Sequence, residues 1–253
     1  MAETALVTGA SSGIGEQFAR QLSARGWDVA LVARRADRLE RLAGELPAKA
    51  HVVPCDLAQD AEALAGRVAE LGIEVGLLVN NAGFGTSGPF VEHDPSRDAD
   101  QVRVNCEAIV ILSHAFLPAM VERRSGGIIN VASTAGMQPL PYESVYAATK
   151  AFAVSFTDAL HTELRGSGVR ILAVNPGPVP TEWQQVAGYD AERVGVVPGK
   201  VPAEQVVSEA LHAFDEGRRS VIPGRMMRWV MRVTRPSPRA IQLRITERIY
   251  RPS

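Results

Sequence analysis

Apolar residues cluster in short runs at 4–7, 29–32, 52–53, 77–79, 128–131 and 171–174, rich in Val, Ile and Leu and too short for helices. None alternates strictly with polar residues, so each reads as a strand buried on both faces. Longer stretches with helical periodicity separate them, the first over 16–25. This alternation predicts a parallel sheet with helices on both sides, and right-handed crossovers restrict how it winds. The expected fold class is α/β, a doubly wound parallel sheet. With no internal repeat, linker or low-complexity segment, one domain over 1–253 is expected.

Two junctions of this pattern carry candidate chemistry. The first strand runs into Thr8-Gly9-Ala10-Ser11-Ser12-Gly13-Ile14-Gly15 and then a helix. Glycines permit a tight turn and close backbone approach to a pyrophosphate, and a helix N-terminus offers unpaired N–H groups with partial positive charge. The second feature is Tyr146 and Lys150, four residues apart on one helical face, with Ser133 thirteen residues before the tyrosine. A phenol at its ordinary pKa of about 10 shuttles protons poorly at neutral pH, and an adjacent ammonium favours the phenolate. The set reads as a proton-transfer site.

Together these motifs resemble the short-chain dehydrogenase/reductase family, whose Thr-Gly-x-x-x-Gly-x-Gly, Asn-Asn-Ala-Gly, Ser and Tyr-x-x-x-Lys elements occur here in order. The middle element is Asn80-Asn81-Ala82-Gly83, and the resemblance covers roughly 3–222. It implies a Rossmann fold with seven strands in the order 3-2-1-4-5-6-7 and a nicotinamide dinucleotide cofactor. Gly9, Ser11, Ser12, Gly13, Ile14 and Gly15 would cradle its phosphates, Asp56 and Leu57 would meet the adenine, and Asn81, Ala82 and Gly83 would line the adenosine side. The same resemblance implies Tyr146 as acid/base and Ser133 as the hydroxyl that polarises a substrate carbonyl. Lys150 would hold the ribose and lower the tyrosine pKa, and Asn105 would support a water relay to that lysine. It also suggests a homodimer or homotetramer built partly on the helices that carry Asn105 and Tyr146.

Cofactor choice is legible after the second strand, where an NAD enzyme places an acid against the ribose hydroxyls. Here the stretch is Leu31-Val32-Ala33-Arg34-Arg35, with two guanidiniums suited to a 2′-phosphate, so NADP(H) is expected over NAD. Beyond the sixth strand, Pro176, Gly177, Val179 and Thr181 resemble the family's segment beside the nicotinamide. Residues 182–201, with Trp183 and Tyr189, occupy the position of the family's variable substrate lid. Phe84, Met137, Leu140 and Tyr142 join those two as candidate pocket residues, mostly apolar. A lipophilic ketone, aldehyde, steroid or 3-oxoacyl carbonyl is expected. His93, His114 and His161 suggest surface or core roles.

Composition refines this reading. At 46% apolar content, 253 residues can bury one large core. The first strand follows Met1 too closely for a signal peptide, and no run approaches the roughly eighteen apolar residues of a spanning helix, so a cytoplasmic chain is expected. Cys55 and Cys106 lack metal-like spacing and read as small buried residues; no metal is expected. Charge is unevenly spread: residues 217–253 hold ten arginines and one acid, against 17 bases and 27 acids before them. Arg225, Arg228, Arg232 and Arg235 fall on one face of an expected helix with Met226, Met227, Trp229, Val230, Met231 and Val233 around the rest. This basic extension, about 223–253, suits an anionic membrane surface; equally, it suits packing on the body or a second subunit while its arginines meet the acidic remainder. Nucleic acid is not expected, because the chain is not basic as a whole.

The activity implied is reversible carbonyl reduction, with a hydride from NADPH and a proton from Tyr146. A catalytically silent nucleotide sensor or scaffold on the same fold is the alternative, which an intact Asn105, Ser133, Tyr146 and Lys150 set disfavours.

Overall fold

The computed structural model describes residues 3–182, 187 and 199–251. Its centre is one parallel seven-stranded sheet in the order β3-β2-β1-β4-β5-β6-β7. The strands are β1 (Thr4–Thr8), β2 (Asp28–Ala33), β3 (Ala50–Pro54), β4 (Val75–Asn80), β5 (Gly127–Val131), β6 (Arg170–Val174) and β7 (Ser220–Val221). The expected strand order and fold class are therefore observed. β1, β4 and β5 are buried at every position. Successive side chains feed opposite cores, as a period of two requires: Ala5, Val7, Leu77 and Val79 enter one, Leu6 and Leu78 the other.

Helices α1 (Gly13–Ala24), α2 (Ala36–Glu45) and α3 (Ala61–Glu70) connect the first four strands. α4 (Pro95–Val102) begins at Asp94, whose carboxylate accepts from the Ser96 N–H, and it passes through a π-turn at Arg103–Glu107 into α5 (Ala108–Glu122). α6 (Ser144–Glu163) carries the Tyr-Lys pair, and α7 (Ala203–Asp215) packs on α1. Two more helices, α8 (Arg225–Thr234) and α9 (Arg239–Tyr250), complete the described chain.

Three expectations change in detail. α1 starts at Gly13 rather than at residue 16, because Ser12 is the last extended residue and the chain turns helical at Gly13. The continuous helical run Pro95–Glu122 is long and apolar enough to cross a membrane by length and composition, contrary to the reading of the sequence. Asn105, Glu107, Ser113 and His114 interrupt its apolar residues, so it does not read as a consecutive run. In the fold its inner side, with Leu112 and Met120, is buried against the sheet. The C-terminal extension is two helices, of which α8 buries Met227 and Met231 and pairs Arg228 with Glu209 of α7 at 2.6 Å. One side of it packs on the body, as the second reading has it, while Met226, Trp229 and Val233 stay exposed.

A polar ladder crosses the sheet's interior near its C-terminal ends. Asn80 Nδ2 donates to Asn130 Oδ1 at 2.9 Å, and Asn130 Nδ2 donates to Thr157 Oγ1 at 2.9 Å. Each amide satisfies the next, which removes most of the cost of burying them. The ladder ties β4, β5 and α6 together directly beneath the site.

Candidate functional site

The glycine turn sits where β1 meets α1. Gly9 has φ +66°, and a Cβ there would lie 2.8 Å from Asn81 Nδ2 and 2.9 Å from Ala82 Cα. A Cβ on Gly15 would overlap the Gly9 carbonyl oxygen. Only glycine fits either position. Thr8 locks the neighbouring strand end: its Oγ1 accepts from the Asn81 and Ala82 N–H groups at 2.9 and 3.0 Å, and its carbonyl accepts from Asn81 Nδ2 at 2.9 Å. The Ser12 hydroxyl does not cap α1, and the turn lines an open cavity with Gly9, Ser11, Gly13 and Ile14.

Basic side chains rim that end. Arg35 donates to Ser11 Oγ at 3.0 Å, to Ser12 Oγ at 3.2 Å and to Glu182 at 3.1 Å. Arg38, one turn into α2, donates to both Glu182 carboxylate oxygens at 2.8 and 2.9 Å. These two guanidiniums, Arg38 first, hold the Glu182 carboxyl below its usual range. Arg34 points instead toward Asp56 at 4.0 Å. Arg38 and Glu182 escaped the sequence reading; the signal for Arg38 was its position three residues after Arg35.

At the other end lie the residues that the sequence marks as a candidate proton-transfer site. Ser133 follows β5 and caps the short turn Thr134–Met137; its hydroxyl accepts from the Ala135 N–H at 3.1 Å and donates to the Pro176 carbonyl at 3.4 Å. Ser133 and Tyr146 line the same cavity. Burial raises the Tyr146 pKa above the ordinary phenol value; Ser133 opposes the shift, while Glu143 and Tyr250 add to it. The depression expected from Lys150 is absent from this balance. Lys150 Nζ donates to the Val131 carbonyl at 2.7 Å and lies 5.9 Å from the Tyr146 ring centre, and burial lowers its pKa to about 8.

Asn105 is fully buried in the π-turn, a bulge type frequent at functional sites. Its Nδ2 donates to the Phe84 carbonyl and to Thr149 Oγ1, both at 2.9 Å, and its Oδ1 accepts from the Phe84 N–H at 3.2 Å. A Cβ on Gly83 would lie 2.9 Å from Asn105 Oδ1 and 3.3 Å from Lys150 Nζ. Asn105 thus fixes the Gly83-Phe84 backbone against the lysine.

A single cavity of about 1060 Å³ joins both ends. It brings together nearly all the residues singled out in the sequence: the glycine turn, Arg34, Arg35, Asp56, Leu57, Asn81, Ala82, Gly83, Ser133, Tyr146, Lys150, Pro176, Gly177, Val179 and Thr181. Gly15 and Asn105 stand behind the wall and shape it. Among the expected pocket residues, Phe84 lines the cavity, whereas Met137, Leu140 and Tyr142 do not. Leu140 turns into a cluster with Ala135, Tyr146 and Ala147, and the Tyr142 hydroxyl accepts from Arg251 Nε at 3.4 Å. Trp183, Tyr189 and most of the expected lid lie outside the described residues.

The apolar wall comes instead from α8 and α9, through Met227, Val230, Met231, Ile245 and Ile249, with Thr246 and Tyr250 beside them. Thr246 Oγ1 donates to the Pro139 carbonyl at 3.2 Å, which pins α9 across the site. The signal in the sequence was the four-residue spacing of Met227 and Met231, and of Gln242, Thr246 and Tyr250. His93 bonds Asp98 at 3.0 Å and the Gly88 carbonyl at 3.2 Å, and His161 bonds the Ile171 carbonyl at 2.9 Å, both as fold-holding groups. Cys55 is buried and Cys106 partly so, and burial raises both thiols. Among the described residues no cluster could hold a metal.

The short chain dehydrogenase family model matches residues 3–191. The very-long-chain 3-oxoacyl-CoA reductase of Anas platyrhynchos is 34% identical over 192 residues, 72% of this chain and 62% of the relative. The chain spans about three fifths of the length of the curated relatives it matches first. A short-chain dehydrogenase from Sphingobium yanoikuyae, solved in complex with NADPH, superposes with a TM-score of 0.82 at 34% identity, covering 91% of this chain and 92% of its own. The bulky-bulky ketone specific alcohol dehydrogenase from Comamonas testosteroni superposes with a TM-score of 0.76 at 30% identity, covering 91% and 90%. With the family match extending over most of the sheet and nearly all the motif residues bordering one cavity, this chain belongs to the short-chain dehydrogenase family.

Proposed function

We propose that the protein is an NADP(H)-dependent carbonyl reductase acting reversibly on a lipophilic ketone, aldehyde or acyl-derived carbonyl. The observation that carries this reading is the convergence of Ser133, Tyr146 and Lys150 in the cavity that begins at the glycine turn. A nicotinamide dinucleotide fits this chain's residues: Gly9 and Gly15 let the turn pack tightly on Asn81 and Ala82, so that backbone and short side chains line the open cavity, and cationic groups rim it. When bound, the cofactor supplies or accepts the hydride.

The protein's part is orientation and proton transfer. The Ser133 hydroxyl donates a hydrogen bond to the substrate carbonyl oxygen, and the Tyr146 Oη gives that oxygen its proton as the C–H bond forms. In the reverse direction Tyr146 takes the proton from the alcohol. Lys150, charged below pH about 8, would hold the cofactor's ribose, and Asn105 holds the backbone opposite it. Met227, Met231 and Ile249 exclude water from the reacting carbonyl.

Selection of NADP(H) over NAD is supported by Arg35 and Arg38, which already share an anionic partner, Glu182, at the rim. The Sphingobium relative's NADPH agrees with this choice. The lipophilic substrate class is supported by the apolar wall, and the Comamonas relative's bulky ketones are of that class. The reading is tested by following NADPH and NADH oxidation against aldehydes, ketosteroids and 3-oxoacyl thioesters, with Tyr146→Phe as control. Tyr146-dependent NADPH consumption with one class supports it. NADPH binding without turnover of any class favours the sensor or scaffold alternative.

Assembly and setting belong to the same proposal. A homodimer or homotetramer across α5 and α6 is supported by exposed Val121 and Phe152. Peripheral contact with an anionic membrane is supported by exposed Trp229, Met226 and Val233 among the arginines of α8. Sedimentation with and without phosphatidylserine vesicles checks both. A cytoplasmic setting, where Cys55 and Cys106 stay reduced, completes the reading.

A further inference from the structure

Glu143 lines the cavity three residues before Tyr146, yet the proposed mechanism has no use for it. It precedes α6 without capping it through its side chain, and is only 2% exposed. Its Oε1 is buried with no hydrogen-bond partner among the described residues. A carboxyl group left this way is costly and calls for an explanation.

The backbone holds it there deliberately. Tyr142, just before it, adopts φ +66°, a region that a tyrosine rarely enters, and its carbonyl accepts from the Gly88 N–H at 2.9 Å. The Glu143 N–H donates to the Leu140 carbonyl at 3.2 Å, and its carbonyl accepts from the Ala147 N–H at 2.9 Å. Tyr250 of α9 reaches the same region, packing on the cluster that contains Tyr146. Burial, with the neighbouring Glu143, raises its phenol above the ordinary value.

The cavity therefore has two polar poles in an apolar wall. One is Ser133 with Tyr146, and the other is Glu143 with Tyr250. Residues three apart on a helix are neighbours, roughly 5–6 Å between Cβ atoms. We propose that Glu143, with Tyr250, is a specificity-determining subsite for a second, uncharged oxygen on the substrate, a hydroxyl or carbonyl within two or three bonds of the reacting carbonyl. The substrate class is then a lipophilic hydroxyketone or diketone rather than a simple ketone. Apolar surroundings hold Glu143 protonated up to pH about 8, so at neutral pH it both donates and accepts, as a neutral partner requires.

This inference rests on the carbonyl-reductase reading, and its test separates the two. The kcat/KM for 2-hydroxyacetophenone and for acetophenone is measured with wild type, Glu143→Leu, Glu143→Gln and Tyr250→Phe, alongside 2-aminoacetophenone as a cationic probe. Binding of 1-phenyl-1,2-ethanediol to the NADPH-loaded proteins is measured by calorimetry. Wild type is expected to favour the hydroxyketone about tenfold or more, and Glu143→Leu to erase that ratio, with Glu143→Gln and Tyr250→Phe intermediate. Should Glu143→Leu not fold, the latter two carry the comparison. An equal loss on both ketones, or a preference for the ammonium-bearing ketone, overturns the subsite. If no ketone is turned over but diol binding still depends on Glu143, the subsite stands and the reductase reading fails; diol binding indifferent to Glu143 overturns the subsite.

Discussion

At the glycine-turn end, the cavity is walled by backbone and short side chains held in place by one another: Gly9 against Asn81, Gly15 against Gly9, and Thr8 bonded to the next strand. At the opposite end the wall is a set of methionines, isoleucines and a tyrosine on two helices that arrive from the far end of the chain. The first end tolerates no added atom, whereas the second consists of flexible side chains whose volumes can be traded. On the proposed reading, this contrast gives cofactor fit to the first end and substrate choice to the second.

Breaking the rigid end has the largest expected effect. Gly15→Val places branched carbons on the Gly9 carbonyl and eliminates measurable NADPH binding by fluorescence titration; retained binding would show that the turn is looser than its packing implies. Smaller, and confined to the rim, is Arg35→Ala. Loss of a charge-assisted hydrogen bond is worth about 1.5–3 kcal/mol, so the NADPH Kd rises roughly 10- to 100-fold while the NADH Kd changes far less. Equal losses for both cofactors would remove Arg35 from 2′-phosphate recognition.

The adaptable end yields effects of a different kind, on stability and substrate use and least on cofactor binding. Met231→Ala leaves a void under α8 and costs about 2–5 kcal/mol by denaturant unfolding. KM for a bulky ketone shifts as well, with the NADPH Kd moving least. The pH dependence of stability sharpens the same point. The Glu143 pKa is raised from 4.5 to about 8 by burial, so the folded state binds the extra proton between those values. Its contribution is fully present below pH 4.5 and is lost as pH rises through about 8. Wild type should therefore lose stability relative to Glu143→Gln from pH 5 to 8 in thermal melts. Parallel profiles would place Glu143 in water.

The rigid end was largely legible in the sequence because its residues are local and constrained by backbone geometry. Gly9, Gly13 and Gly15, with Asn81 and Gly83, sit where strands end, and the family resemblance that these motifs carry implied the sheet order now observed. The other end was not legible, for physical reasons. Met227 and Met231 read as one side of a basic helix, and nothing local says that the helix folds back over Tyr146. Leu140 and Tyr142 flank the site in sequence, yet the turn directs Leu140 into the protein and Tyr142 to Arg251. Glu143 looks like an ordinary helix-start acid until its burial is known.

The most direct test of the account measures NADPH binding and ketone turnover in the same preparation of Tyr146→Phe. The account predicts an NADPH Kd close to wild type with turnover reduced about 10²- to 10⁴-fold, the range of a lost general acid. Turnover matching wild type, with the phenol hydroxyl gone, would contradict it.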